Sequence, residues 1–523
     1  MQDIEHKGKL PRQIPYIVAN EACERFSFYG MRNILTPFLI STLLLFIPES
    51  ARTGEAKHVF HTFVIGVYFF PLLGGWLADR FFGKYNTVLW FSIVYCIGHA
   101  CLAIFEDNLQ GFYFGLFLIA LGSGGIKPLV ASFMGDQFDK SNRHLANATY
   151  DAFYWTINFG SFFASLLMPP LLKNYGAAWA FGVPGILMGM ATLFFWLGRK
   201  KYVYVPPKAP DEHSFSRVAR TALLAHKPGE SRFGLFIAAF GALACAGFIM
   251  RGLMGDFVIF ACIGLVFLLG FGGFGISLQL ERARGIHTDE AVDGVRAVLR
   301  ILIVFALTTP FWSLFDQKAS TWIVQANSMA TFGINLFGTD YTFLPAQLQA
   351  LNPLFVMLLI PFNNLVLYPL LERFGLLPTP LRRMTAGIAF SGLSWIVIGG
   401  LQVSLDQGDA VSMAWQILPY AILTMGEVLV SATGLEFAYS QAPASMKGVI
   451  MSLWYLSVTI GGLWVLLVNK AVKDPAVIEQ IRASGYGVEA FQMYFFAAFA
   501  LIVACLFGLY ARRYKMTDNY RTT

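Results

Sequence analysis

The chain has 523 residues, of which 56% are hydrophobic, 16% aromatic and only 13% charged, with a formal net charge of +7. A soluble domain carries about 25% charged residues, so this composition excludes a soluble enzyme with a solvated surface. Uncharged apolar runs recur at the roughly 20 residues that cross a bilayer, and the basic excess sits in short connections between them, with no stripe or motif that would read nucleic acid.

Residues 1–10 are polar and charged and pass into the first apolar segment without a small-residue cleavage site, so the first helix is expected to stay in the mature protein. Hydropathy predicts fourteen transmembrane helices, over 15–45, 57–80, 86–105, 110–134, 146–172, 177–199, 233–251, 256–281, 298–327, 345–372, 384–403, 412–439, 448–470 and 489–511. The longest connection, 200–232, holds Pro206, Pro207, Pro210 and Pro228 among charges and reads as a polar linker. Residues 285–293 close an insertion made by the seventh and eighth helices. The expected organisation is a six-helix bundle over 1–199, the linker and inserted pair over 200–297, and a second six-helix bundle over 298–523. All six cysteines fall in apolar segments without metal-ligand or disulfide spacing and are expected to be small core residues, with no metal and no cofactor.

Basic loops are retained on the cytoplasmic side. With the N-terminus inside, the loops on that side outnumber the opposite ones in Lys and Arg by nearly four to one. This predicts a multi-pass protein of the cytoplasmic (inner) membrane with both termini cytoplasmic. The same assignment leaves Arg25, Arg32, Lys127 and Lys318 as cations within helices.

The second helix ends Asp79-Arg80-Phe81-Phe82-Gly83 and the tenth ends Glu372-Arg373-Phe374-Gly375. An acid, an arginine and a phenylalanine thus recur at an offset of 293 residues, each followed by a glycine at the same helix end, laying the first helix over the ninth. Two parallel repeats related by an axis along the membrane normal place a substrate site near the midplane between them. The turn after the second helix resembles the loop motif of the major facilitator superfamily, which implies an all-α polytopic fold of two six-helix bundles, here with two inserted helices.

At 100° per residue, Glu21, Glu24, Arg25, Tyr29 and Arg32 share one face of the first helix. One ionised group at the bilayer centre costs roughly 2.5 to 3.5 kcal/mol on insertion scales, so such a stripe must line water or find partners. A set of permanent ion pairs that merely joins helices is the competing reading; buried pairs are weak stabilisers compared with packed apolar residues.

The segment Glu21-Ala22-Cys23-Glu24-Arg25-Phe26-Ser27-Phe28-Tyr29-Gly30 resembles the ExxERFxYYG motif of the proton-dependent oligopeptide transporters, with Phe28 in place of the first tyrosine. The resemblance extends through Gly124-Gly125-Ile126-Lys127-Pro128, Phe153-Tyr154-Trp155-Thr156-Ile157-Asn158-Phe159-Gly160, Phe311-Trp312 to Asp316-Gln317, Asn352-Pro353 and Gly426-Glu427 to Gly434-Leu435-Glu436. Ala432 stands where many members carry proline.

The resemblance implies proton-coupled import of di- and tripeptides by alternating access. A peptide zwitterion has two termini common to every sequence, so a promiscuous site needs cations and a carboxylate a peptide length apart. By resemblance the peptide carboxylate falls to Arg32 and Lys127 with Tyr29, and the ammonium to Glu427 with Asn158 and Asn352. Tyr68, Trp312 and Trp454 would face the side chains, although each taken alone is more often ordinary helix packing, and Asn158 and Asn352 alone could equally be interhelical hydrogen bonds. Glu21, Glu24, Arg25, Asp316 and His61 are the expected coupling and gating groups, with a bridge between Arg32 and Asp316 in the empty protein. His61 near a helix end is otherwise an interfacial histidine. Lys318 is expected to be a snorkelling or packing charge, and Glu436 carries no assigned role.

The alternative is a major facilitator carrier of nitrate or drug-like substrates, for which the paired acids of the first helix are superfluous. A membrane-embedded enzyme is disfavoured, because the sequence has no nucleophile–base spacing, HExxH or phosphate loop. A channel is disfavoured because acids and bases alternate along the stripe and form no ring of one sign.

Overall fold

The computed structural model describes residues 9–139, 142, 145–207, 211–225, 231–336, 338–441 and 446–514. In chain order the helices are α1 (Ile14–Phe38), α2 (Glu49–Phe69), α3 (Gly83–Ile104), α4 (Leu109–Ile126), α5 (Ala146–Tyr175) and α6 (Ala177–Leu197). There follow α7 (Phe215–Leu224), α8 (Phe233–Gly252), α9 (Phe257–Gln279), α10 (Asp289–Asp316) and α11 (Thr321–Asn327). A two-stranded hairpin, β1 (Gly333–Leu336) and β2 (Thr339–Thr342), leads to α12 (Leu351–Phe362), α13 (Pro380–Asp406), α14 (Ile417–Gln441), α15 (Lys447–Ala471), α16 (Pro475–Ala483) and α17 (Val488–Arg513).

Eleven of the helical stretches are long and apolar enough to cross a membrane, and the first of these, Glu49–Ile104, is two rods in one. They part at Gly83, whose φ of 72° would strain any residue with a Cβ. Gly375, at the corresponding end of the second repeat, has a φ of 74°. The repeated turn therefore ends twice on a left-handed glycine, after a π-helical turn (Ala78–Phe82) in the first half and an α-helical one (Tyr368–Arg373) in the second. Two further long rods, α1 and α5, are absent from the apolar set, and α1 carries the Glu21 to Arg32 stripe on its buried face. With the split rod and these two, the described helices are compatible with the fourteen spans that hydropathy predicts, although eleven stretches meet the apolar criterion.

The largest apolar cluster draws almost entirely on residues 14–202, with Phe38, Phe112 and Phe181 in mutual ring contact at its centre. Two others gather residues of the second half around Trp312 and Trp454 and around Trp322 and Trp395. A small fourth cluster joins Ile65 of α2 and Leu463 and Leu466 of α15 to Ile259 and Cys262 of α9, so the inserted pair rests on both halves. Cys262 is the buried cysteine; Cys23, Cys96, Cys101 and Cys245 are half-buried and Cys505 is exposed, which corrects the expectation of six core thiols.

Three elements differ from the sequence reading. The linker contains α7, whose Val218, Ala219 and Ala222 are buried at spacings of one and three residues against the start of the second half, with Arg220 outside. The ninth span starts earlier than expected, because Thr288 caps it by accepting a hydrogen bond from Ala291 N, and Asp289 and Glu290 suit the positive end of the helix dipole. That span also breaks after Asp316 into a 3-10 turn, Gln317–Ala319, before α11 resumes. The third is the β1–β2 hairpin, paired antiparallel with Ile334 opposite Tyr341.

Candidate substrate site

The side chains of α1 that share a face converge on the centre of the molecule. Arg25 Nε lies 3.1 Å from Glu21 Oε1 and also hydrogen-bonds Glu24, so one guanidinium serves both acids. Two turns further on, Arg32 Nη2 lies 2.6 Å from Asp316 Oδ1 at the end of α10. Arg32 and Asp316 are both almost wholly buried, and the pair crosses from the first half to the second.

Lys127 is placed by its glycines. A Cβ on Gly124 would stand 2.6 Å from the Phe70 backbone, and one on Gly125 2.2 Å from the Phe91 ring. Only glycines let α4 approach α2 and α3 this closely, and Lys127 caps the helix that Pro128 discourages from continuing. Its ammonium lies 3.9 Å from the Phe28 ring centre and 4.4 Å from that of Tyr68. Among the described residues it makes no ion pair, so its charge is held by aromatic faces.

On the opposite wall Gly426 and Gly387 let α14 and α13 close together, a Cβ on Gly426 meeting Gly387 O at 2.7 Å, and Glu427 follows at once. Asn352 Nδ2 donates to Glu427 Oε2 at 2.5 Å and to Thr424 at 3.1 Å, while Lys318 Nζ donates to Asn352 Oδ1 at 2.8 Å. Trp312 meets Trp454 edge-on with ring centres 5.5 Å apart, and Gly434 leaves room for the Trp454 ring.

These walls enclose a cavity of about 340 Å³. Tyr29, Arg32, Tyr68, Lys127, Asn158, Trp312, Asn352, Glu427 and Trp454 all line it, as do Glu21 and Arg25. Glu24, Asp316 and His61 do not line it: Glu24 lies behind Arg25 and Asp316 behind Arg32. His61 is fully buried, its Nε2 3.0 Å from Ser320 Oγ, so it sits in the interface between the halves and not at an aqueous helix end.

Lys318 corrects the sequence reading. It lines the cavity and holds Asn352 and is not a snorkelling charge, because the 3-10 turn after Asp316 turns the chain at this point. Tyr154, Ser161, Phe315, Gln349 and Tyr455 also line the cavity and were not singled out; only Tyr154, inside the fifth-span motif, carried a signal in the sequence. The side chains of Ala432, Leu435 and Glu436 lie outside the described residues.

The hydrogen bonds between the halves gather on one side. Thr36 donates to Ala319 O, Gln349 to Asn33 O and Gln347 to Leu166 O, in company with Arg32–Asp316 and His61–Ser320. Every one lies toward the end of α1 remote from the N-terminus, so the halves are joined on that side of the cavity.

Residues 85–239 and 273–485 match the model of the POT family, PTR2. The chain belongs to the POT family. Residues 5–158 also match the MFS/sugar transport protein model, and the fold is that of the major facilitator superfamily. Among solved structures, the chain is 62% identical to an auto inhibited POT family peptide transporter, with a TM-score of 0.94 over 98% of this chain and 99% of that one. To the POT family transporter PepTSo it is 65% identical, with a TM-score of 0.93 over 98% of this chain and 100% of the other. Solute carrier family 15 member 2 of Mus musculus is 30% identical over 449 residues, 82% of this chain and 54% of its own length. Peptide transporter 3 of Caenorhabditis elegans is 30% identical over 76% of this chain and 51% of its own. The chain thus spans about half the length of the curated POT relatives it matches.

Proposed function

We propose that this POT family chain is a proton-coupled symporter that imports di- and tripeptides across the cytoplasmic membrane by alternating access. Residues 1–199 and 298–523 act as the two moving bundles, 200–297 as linker and inserted pair, and both termini lie in the cytoplasm. The observation that carries this reading is a single cavity that sets Lys127 and Arg32 of one half across from Glu427 of the other, walled by aromatic rings. Its volume falls in the range of small-ligand sites, roughly 300 to 1,000 Å³.

In this assignment the peptide carboxylate meets Lys127 first, since Arg32 is engaged by Asp316. Protonation of Asp316 frees Arg32 to join Lys127 and Tyr29 at the carboxylate. The ammonium takes the place at Glu427 that Asn352, backed by Lys318, now occupies, and Asn158 and Asn352 supply its remaining hydrogen bonds. Glu21 and Glu24 on Arg25, with His61 at the closed side, carry coupling. Tyr68, Trp312 and Trp454 accept varied side chains because an apolar face does not dictate one shape.

The test is uptake of labelled dialanine into proteoliposomes under an inward proton gradient, with unlabelled peptides of graded length and nitrate as competitors. Gradient-dependent uptake blocked by di- and tripeptides is expected. Uptake displaced by nitrate and untouched by peptides would overturn the assignment in favour of another substrate.

A further inference from the structure

The coupling reading leaves one part of Glu24 unexplained. Its Oε2 is taken by Arg25, but Oε1 is buried with no hydrogen-bond partner among the described residues. The same holds for Asn20 Oδ1 on α1 and for Ser92 Oγ and the Tyr95 hydroxyl on α3, all within fully buried side chains. Buried polar atoms are ordinarily satisfied, and of the eight left over among the described residues of the first bundle these four, with His99 Nδ1, fall on α1 and α3.

They lie along one seam. The first and third spans run in the same direction, and Ser27 Oγ meets His99 Nε2 at 3.0 Å, which fixes their register at an offset of 72 residues. One turn toward the N-terminal side the same register sets Glu24 level with Tyr95 and Cys96, and two turns away it sets Asn20 level with Ser92. Asn20, Glu24 and Ser27 share a face of α1, as Ser92, Tyr95 and His99 share a face of α3. The Tyr95 ring stands 5.1 Å from His99, edge to face, and its phenol is within electrostatic reach of both Glu24 and Arg25.

We propose that Tyr95 is a positioning residue for the coupling proton, holding Oε1 of Glu24 from the side of the bundle that faces away from the peptide. This rests on the reading of Glu24 as a coupling group. In this structure Glu24 Oε1 and the Tyr95 hydroxyl are both unpartnered among the described residues; in the coupling step the Tyr95 hydroxyl turns to donate to Oε1 of ionised Glu24 while Arg25 keeps Oε2. When a proton arrives from water in the cavity past Glu21 and Arg25, the new O–H bond forms on Oε1. Tyr95 keeps its own proton and turns from donor to acceptor, and the proton later leaves by the same route to water. Proton and peptide thus occupy opposite sides of α1, and Arg25, which lines the cavity, connects them.

The groups facing Glu24 set the comparison. Glu21, Arg25 and Tyr29 lie on its own helix, Tyr95, Cys96 and His99 on α3, and Lys127 follows α4. On α6 the neighbours are uncharged: the Ala191 carbonyl accepts from Asn20 and Thr192 meets Cys96. Tyr95 is the hydroxyl on α3 in this set, and its removal alters no charge and, unlike that of Tyr29, no residue of the cavity lining.

Tyr95→Phe, Glu24→Gln and the double variant are compared in proteoliposomes for proton-driven accumulation of dialanine, its dependence on external pH, and gradient-free peptide exchange. Tyr95→Phe is expected to lower accumulation about tenfold, to displace the pH profile by about one unit, and to leave exchange at the wild-type rate. In the Glu24→Gln background the same change should have no further effect. A Tyr95→Phe protein with the wild-type pH profile and accumulation, or an effect that adds to that of Glu24→Gln, would overturn the proposal while leaving Glu24 in place. Loss of exchange in Tyr95→Phe would also overturn it, as the mark of a structural role. Wild-type accumulation by Glu24→Gln would instead remove the coupling reading on which it rests.

Discussion

Arg32 Nη2 and Asp316 Oδ1, 2.6 Å apart and 284 residues distant in the chain, form a buried ion pair that ties α1 to α10 on the closed side of the cavity. Asp316 Oδ2 is buried without a partner among the described residues, so a proton can settle there without displacing another group. A hydrogen bond to a charged group contributes about 1.5–3 kcal/mol, enough to shift a two-state balance by ten- to hundredfold. Asp316→Asn is therefore expected to open that side, lengthening the distance between spin labels at Ser50 and Thr331, and to weaken the proton dependence of uptake. An unchanged distance distribution together with an unchanged pH profile would sink the switch.

Glu427 is held by Asn352 and faces Lys127 across the cavity. Glu427→Gln should weaken binding of dialanine by about ten- to hundredfold, in line with the loss of one buried charge-assisted bond. N-acetyl dialanine, which has no ammonium, should bind the variant and the parent alike. Calorimetric titration of both peptides measures this, and an equal loss for the two would place the ammonium elsewhere.

Much of this was legible in the sequence because membrane helices announce themselves by length and apolarity, and because buried charge is too costly to be idle. The α1 stripe, Lys127, Asp316 and Glu427 were found on that ground together with the motif resemblance. What escaped did so for local reasons. The helix α7 is ten residues long with an apolar face too narrow to stand out amid prolines and charges. Lys318 escaped because no family motif position claims it, and only the 3-10 turn after Asp316 brings it to the cavity. The seam of Asn20, Ser92 and Tyr95 could not be seen until the register between two distant helices was known, since nothing in either helix alone says which residues meet.

The glycines before Lys127 bear on both stability and affinity. In Gly124→Ala the new methyl would meet the Phe70 backbone, which cannot swing aside as a side chain can. Overpacking of this kind costs about 1–3 kcal/mol. The thermal midpoint in detergent should fall and dialanine affinity should fall with it, as Lys127 is carried off its aromatic seat. Gly75→Ala, with nothing within 4 Å of the added methyl, is the control and should melt with the parent.

On the polar face His213 Nδ1 and His287 Nδ1 are 3.1 Å apart, and His287 Nε2 meets Thr221 Oγ1 of α7 at 2.9 Å. Burial, then His213 and Arg217, push the His287 imidazole below its usual range. The folded contact thus binds fewer protons than the released loop. Its stability is present above the ordinary histidine value of about 6.5 and is lost as pH falls below it toward the lowered one. Hydrogen exchange over 215–224 should be faster at pH 5.5 than at pH 7.5, and His287→Asn should flatten the difference. Equal protection at the two pH values in the parent protein would remove the tether.

Glu21 and Glu24 share Arg25 but not their surroundings, since Glu21 lines the cavity and Glu24 is sealed behind it. One proton crossing 100 mV releases about 2.3 kcal/mol, equivalent to roughly a fifty-fold concentration ratio of a neutral zwitterion, and this drive reaches the peptide only if a carboxylate takes up and gives back the proton each cycle. Gln at either position cannot ionise, which leaves Arg25 with one acid and the carrier locked in the protonated pattern. Peptide can still bind at Lys127 and Glu427, so labelled dialanine should exchange across the membrane against unlabelled dialanine at a rate near the parent's. Accumulation against a gradient should fall to the level set by equilibration. The difference between the sites is access: Glu21→Gln removes a group the peptide can touch and should also change KM for dialanine several-fold, whereas Glu24→Gln should leave KM for exchange unaltered. Loss of exchange as complete as the loss of accumulation, at either position, would show that the acid holds the structure or the peptide and not the coupling proton.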